Sequence, residues 1–214
     1  MAHNPFDTGY YCSEELRKFG FAYVGGNVQV ARNCTIMGLH NISLGDNCRI
    51  DAGCGIFATT GKLVLEGFNH IGGGSHLGVS ADLTFGLFSG LSQNVAIYTS
   101  SDDYSGRTLT GPCVPAHLRN YKTAAIDIGR HCIVGSGSVI LPGCHMHEGA
   151  AVGALSLVTK PLQPWSLYHG NPAKRLRNRS KNVLDLECQV VPAIEGRVIP
   201  LNSSGHNRTF LRKS

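Results

Sequence analysis

Charge is scarce in this chain: Asp, Glu, Lys and Arg make up 15% of its 214 residues, while 42% are hydrophobic. That balance excludes a disordered polyelectrolyte. Long apolar runs are missing as well, so no membrane-spanning helix is expected. Eight cysteines are present, but none forms a CxxC pair and their spacings fit no zinc ribbon or finger, so no metal is expected. Neither a GxGxxG turn nor a P-loop occurs, which removes the usual nucleotide folds. The opening "MAHNPFDTGYYCSEELRKFG" lacks the apolar core of a signal peptide. A cytoplasmic protein with free, packing thiols is the expectation. The formal net charge of +5 suits an anionic small ligand. No basic, aromatic-rich face suggests nucleic acid.

Glycine, by contrast, is plentiful at 27 residues, too many for a helical bundle. Between the glycines runs a strict period. Ile128, Val134, Ile140, Met146, Val152 and Val158 stand six apart. The same spacing joins Val24/Val30/Ile36, Leu44/Ile50/Ile56, Leu65/Ile71/Leu77 and Phe85/Leu91/Ile97. A helix returns to one face every 3.6 residues and a plain strand every two, so neither explains period six. A coil with three flat faces does. Each hexad supplies a short strand and a turn, its apolar residue points inward, and coils stack through parallel strand pairing. The expected fold is all-β: a parallel β-helix of about six three-hexad coils. Gly45, Asn47, Gly53, Gly72, Gly129, Gly135, Gly143 and Gly153 are expected at corners that need positive φ.

Three segments depart from the repeat. "SEELRKFG" reads as a short helix with Ser13 as N-cap, lidding the first coil within a cap of residues 1–22. The β-helix itself is expected over 23–160. It is interrupted at 98–127 by a long polar excursion whose Tyr104, Arg107 and Tyr121 suggest an ordered binding loop. After Val158 the period stops, so 161–214 is read as a helical segment and basic tail.

The prelude "YCSEELRKFGFAYVGGNV", the middle "FSGLSQNVAIYTSSDDYSG" and the close "SLVTKPLQPWSLYHGNPAKRL" carry a resemblance over about residues 13–179. There the chain resembles the hexapeptide-repeat acyltransferases, in detail the branch of bacterial O-antigen and capsule clusters. The resemblance implies a left-handed coil, a homotrimer and acetyl-CoA as donor. It also implies transfer of an acetyl group to a hydroxyl or amine of a sugar or nucleotide-linked sugar in surface-polysaccharide synthesis. Small residues followed by Lys or Arg in "GALSLVTK" and "GNPAKRLR" fit a thin pantetheine arm ending in phosphates, though corners and a solvated basic face would produce the same pattern. By resemblance, the donor contacts fall on Ser136, Ala154, Thr159, Lys160, Lys174 and Arg177.

Acyl transfer needs a group to take the acceptor's proton, and His serves near neutral pH. Some members of the family carry that His just before the long loop; here the place reads "YTSSDDYS" and holds none. His70, at a coil corner before three glycines, is the favoured base, with His76, His40 and His117 as alternatives. Asp102 is expected to orient the base or hold the acceptor, and Asn69 to position it. His145 and His147 flank inward Met146 and are read as exposed strand residues. Two other readings follow from the same residues: a β-helix that has lost its chemistry, and a carbonic-anhydrase-like trimer. The latter needs a paired-His spacing that His70 and His76 do not have.

Overall fold

The computed structural model describes Asn4 and residues 6–190. Among these, strands stack into three sheets of nine, six and five strands, the faces of a β-helix, all parallel except the first and last of the nine. Each apolar position found by the period lies in register with its counterparts in neighbouring coils. Leu44, Leu65, Phe85 and Ile128 pair in turn in the five-stranded sheet. Ile50, Ile71, Leu91, Val134 and Val152 do so in the nine-stranded sheet. Ile36, Ile56, Leu77, Ile97, Ile140 and Val158 do so in the six-stranded sheet. All eighteen positions of the six triplets face the core; Ile36, on the first coil, is half-buried and the other seventeen are buried. Burial of one residue per hexad is what holds the coils together, since no coil could cover its own inward side chains.

The repeat runs further than its period suggested. Leu162 bridges to Met146, and Tyr168, six residues on, pairs with Val152. Both are buried. The chain then turns back. The helix expected after the prolines is instead a strand, Lys174–Asn178, antiparallel to Ser166–His169. A bare edge of the last coil presents unpaired backbone groups, and pairing it outweighs the weak helical pattern of "KRLRN". A short helix, Val183–Glu187, does follow, in a separate compact unit that begins at Ser180. The expected basic tail at 203–214 lies outside the described residues.

The other end is lidded as expected, but by a different device. Tyr10–Cys12 pairs antiparallel with Gln29–Ala31, and the helix is a single turn, Ser13–Leu16. Cys12, not Ser13, is its N-cap, and the Glu15 carboxylate accepts from the Cys12 backbone N–H at 2.9 Å. Ser13 is buried, its hydroxyl accepting from the Val28 N–H at 2.8 Å. Leu16 plugs the first coil.

Two kinds of corner emerge. Of the glycines expected at positive φ, only Gly53 and Gly143 have it, together with Asn47. Gly45, Gly72, Gly129, Gly135 and Gly153 are required by close approach instead: a Cβ on Gly45 would stand 2.2 Å from the Glu66 carbonyl oxygen of the next coil. Left-handed backbone is carried at one corner by larger residues, Asn27, Asn47, Phe68, Phe88, His131 and Trp165. Their side chains form a stack. Asn27 donates to Asn47 at 2.8 Å, and the rings of Phe68, Phe88 and His131 succeed each other at 4.6 and 5.4 Å. Trp165 lies against bare Gly149 to complete the column. Stacked rings of this kind add roughly 0.5–1.5 kcal/mol per pair, which offsets strain in the backbone beneath.

The excursion leaves after Ala96–Tyr98 and rejoins at Ile126–Ile128, at the corner between the six- and five-stranded sheets. It is tied at its root by pairing of Ser100–Ser101 with Lys122–Thr123 and by the Ala124 N–H on the Thr99 carbonyl at 2.9 Å. Buried Thr99 caps the turn below, its hydroxyl accepting from the N–H groups of Ser80 and Ala81.

Candidate active site

His70 opens the strand His70–Ile71 on the nine-stranded sheet, its side chain outward and half exposed. In register it stands between Arg49 on one coil and Gly90 on the next. Gly90 offers no side chain, so the space over the imidazole on that side is open. Asp51 lies one residue beyond inward Ile50, and its Oδ2 is 2.7 Å from His70 Nε2. The other carboxylate oxygen accepts from Arg49 Nε at 2.7 Å and from the Tyr10 hydroxyl at 2.9 Å. Partial burial acts to raise Asp51, but the donors His70, Arg49 and Tyr10 outweigh it and hold the carboxyl below its usual range. An ionised carboxylate can only accept, so the proton shared with it sits on Nε2 and leaves the Nδ1 lone pair open.

Asp51 thus takes the place expected for Asp102. Asp102 sits on the root of the excursion, with its Oδ1 3.5 Å from the Gly111 N–H. That corner is opposite the face that bears His70, so one chain does not bring the two together. Its neighbour Asp103 accepts from the Ser105 N–H and the Thr108 hydroxyl. Asn69 is also displaced from the expected role. It is 1% exposed and points into the core, where its amide bonds Gly67, Gly86 and Ser89. Its column of Val28, Cys48, Ser89, Cys132 and Ala150 is interior throughout.

Among the alternatives, His76 is on the six-stranded sheet, its ring between those of Phe57 and Tyr98 at 5.1 and 5.4 Å. His40 and His117 lie on short 3₁₀ turns, Leu39–Asn41 and Ala116–Leu118. His145 Nδ1 accepts from the Asp127 N–H on the five-stranded face. Among the described residues no group of three or more His, Cys, Asp or Glu side chains is placed to hold a metal ion.

The donor-side residues separate into two groups. Ser136 and Ala154 occupy successive tips of the corner between the nine- and six-stranded sheets. They stack through the Leu155 N–H on the Ser136 carbonyl at 2.9 Å. Gln93 is the tip beneath, bonded by the Ser136 hydroxyl at 3.1 Å, and Gly73 lies below that. Gly73 is three residues past His70 on the same coil, so this column starts at the corner after the imidazole's strand and climbs away from it. Thr159 and Lys160 follow the strand Leu157–Val158 at the next corner, between the six- and five-stranded sheets, both exposed. Lys174 is brought beside the start of that strand, next to the Ala154 corner, by the Ala173 N–H on the Leu157 carbonyl at 2.8 Å. Arg177 is not: it pairs with Leu167, three residues along the hairpin strand, about 10 Å away.

Sequence reasoning missed Tyr10, Arg49 and Asp51. A signal existed for two of them, because Arg49 and Asp51 flank inward Ile50 on the coil next to His70. Columns read across coils would have found them.

A β-helix whose sheet face carries a half-exposed imidazole, on a coil whose corner begins the column of Gly73, Gln93, Ser136 and Ala154, has the layout of an acyl-transfer enzyme. No family model matches the chain. Individual relatives do. It is 36% identical over 182 residues to dTDP-4-amino-4,6-dideoxy-D-glucose acyltransferase of Escherichia coli, covering 85% of this chain and 95% of that one. The structure of AntD, an N-acyltransferase from Bacillus cereus in complex with dTDP and 3-hydroxybutyryl-CoA, superposes with a TM-score of 0.81. It shows 34% identity and covers 86% of this chain and 97% of that one. A serine-to-cysteine variant of AntD in complex with dTDP-4-amino-4,6-dideoxyglucose and coenzyme A gives a TM-score of 0.82 and 32% identity, covering 87% and 99%. The chain belongs to the hexapeptide-repeat sugar acyltransferases.

Proposed function

We propose that this protein transfers an acyl group, acetyl in the simplest case, from acyl-CoA to the amine of a nucleotide-linked amino sugar, with dTDP-4-amino-4,6-dideoxyglucose as the first acceptor to test. The observation that carries the reading is the placement of His70. It is fixed by Asp51, open at Nδ1, and set at the foot of the Gly73–Gln93–Ser136–Ala154 column. The extended pantetheine arm would lie along that column, with Lys174 near its far end to meet phosphates and Lys160 one corner further round the last coil. The acceptor nitrogen attacks the thioester carbonyl and His70 Nδ1 takes the proton released from nitrogen. The tetrahedral intermediate then collapses, breaking the C–S bond, and the proton passes to the departing thiolate. Donor and acceptor meet directly; no cysteine need carry the acyl group.

Asp102 enters this reading from a second copy of the chain. In a homotrimer the excursion of one prism would lie against the sheet face of the next, and Asp102 would hold the acceptor amine there. We place the reaction in the cytoplasm, where acyl-CoA is made, and in the supply of modified sugars for bacterial surface polysaccharide. Among the described residues no helix is long and apolar enough to cross a membrane.

The test is a steady-state comparison of wild type with His70→Gln and Asp102→Asn. The expected result is a fall in kcat of about a hundredfold or more for His70→Gln, with Asp102→Asn raising the acceptor KM. Full activity in His70→Gln would remove the assigned base.

A further inference from the structure

The imidazole–carboxylate pair does not stand alone. Asp51 Oδ1 receives two donors, Arg49 Nε at 2.7 Å and the Tyr10 hydroxyl at 2.9 Å. Arg49 Nη2 donates to that same hydroxyl at 2.8 Å, and its guanidinium lies 4.8 Å from the Tyr10 ring centroid. The three groups close a ring of hydrogen bonds around one carboxylate oxygen and leave Oδ2 for His70. They come from three elements: Tyr10 from the antiparallel strand Tyr10–Cys12, Arg49 from Arg49–Ile50, and His70 from His70–Ile71. The titratable and charged groups facing Asp51 are therefore Tyr10, Arg49 and His70, with the thiols of Cys34 and Cys54 behind it. The Cys34 thiol donates to the Asp51 carbonyl at 3.1 Å, which also fixes the backbone. Gly90 faces His70 from the next coil and adds no charge.

Such a closed arrangement exceeds what a surface ion pair needs. A lone Arg–Asp pair on a sheet would contribute little stability, and lidding the first coil does not require the Tyr10 hydroxyl to reach Asp51. Pinned on one oxygen, however, the carboxylate cannot rotate, and its other oxygen defines where the Nε2–H must point. We propose that Tyr10, Arg49 and Asp51 are positioning residues that hold the His70 ring in one orientation and one tautomer, leaving Nδ1 as the proton acceptor. This rests on His70 as the base.

The experiment uses the full chain and the variants Asp51→Asn, Arg49→Gln and Tyr10→Phe. It reads the tautomer of His70 from its ring-nitrogen NMR shifts, assigned against His70→Gln, together with kcat/KM. The wild type is expected in the Nε2–H form, and Asp51→Asn as a mixture with kcat/KM down about tenfold or more. Arg49→Gln and Tyr10→Phe are expected to shift the tautomer balance in the same direction by less. A purely structural cluster would lower the melting temperature and move neither readout. An Nδ1–H tautomer in the wild type, or a tautomer unchanged in Asp51→Asn, overturns the proposal. A tautomer that responds while kcat/KM stays unchanged upholds the positioning role and overturns His70 as the base.

Discussion

His70 Nε2 and Asp51 Oδ2 lie 2.7 Å apart, though they belong to different coils and nineteen positions of the chain separate them. The pairing is a product of stacking. Asp51 follows inward Ile50, His70 precedes inward Ile71, and Ile50 and Ile71 are in register.

The first prediction concerns acid. Asp51 is held below the usual carboxylate range in the folded protein, so it contributes stability that is present above its unfolded value, near 3.9. That contribution is lost as pH falls through the lower folded value. Melting temperatures of wild type and Asp51→Asn are expected to differ at neutral pH and to converge as acid protonates Asp51, below the unfolded carboxylate range. A constant difference over that window would contradict the assignment.

A second prediction separates the two kinds of glycine. A Cβ on Gly72 would stand 2.5 Å from the Ser92 carbonyl carbon of the adjacent coil, and that backbone cannot yield without opening the ladder. Gly72→Ala is expected to cost about 2 kcal/mol in urea denaturation. At Gly26 the nearest contact of a new Cβ would be ordinary, 3.6 Å from the Asp46 carboxylate, and Gly26→Ala should fall within about 0.5 kcal/mol of wild type.

Core truncation should follow burial. Phe85 is fully buried between Leu65 and Ile128 in the five-stranded stack. Phe85→Ala removes a ring with no neighbour able to fill the void, and is expected to destabilise by about 3–5 kcal/mol. The same truncation at exposed Leu155, 77% accessible, should leave stability nearly unchanged.

For the donor site, Lys174→Ala is expected to weaken acyl-CoA binding by about tenfold, with an effect that shrinks as salt rises. The acceptor KM should stay as it was. Arg177→Ala should change neither constant, because Arg177 pairs with Leu167 away from that end of the column. Isothermal titration at two ionic strengths distinguishes these outcomes.

Much of the fold was legible because one residue per hexad must face the core, and that requirement writes itself at fixed spacing. Ile128 to Val158 could be read without knowing what surrounds them. The last coil was not, since the step from Met146 to Leu162 breaks the count and Tyr168 replaces an aliphatic residue. The site was harder for a physical reason. Hydrogen bonds such as Tyr10–Asp51 run between coils, and nothing in the linear pattern around Tyr10 points forty-one positions ahead. Asn69 misled by its neighbours: it adjoins His70 in sequence, yet alternation along the strand turns it inward while His70 faces out. The excursion was recognised by its length, but nothing in the linear pattern says which sheet face it serves.

The most direct test of the whole account is coenzyme A release, followed as free thiol, when the wild-type protein is mixed with acyl-CoA and the nucleotide-linked amino sugar proposed above. Release that depends on the sugar, with one new amide found on its amine by mass spectrometry, is the predicted result. Tight binding of both ligands without release, or release that does not require the amine, would contradict it.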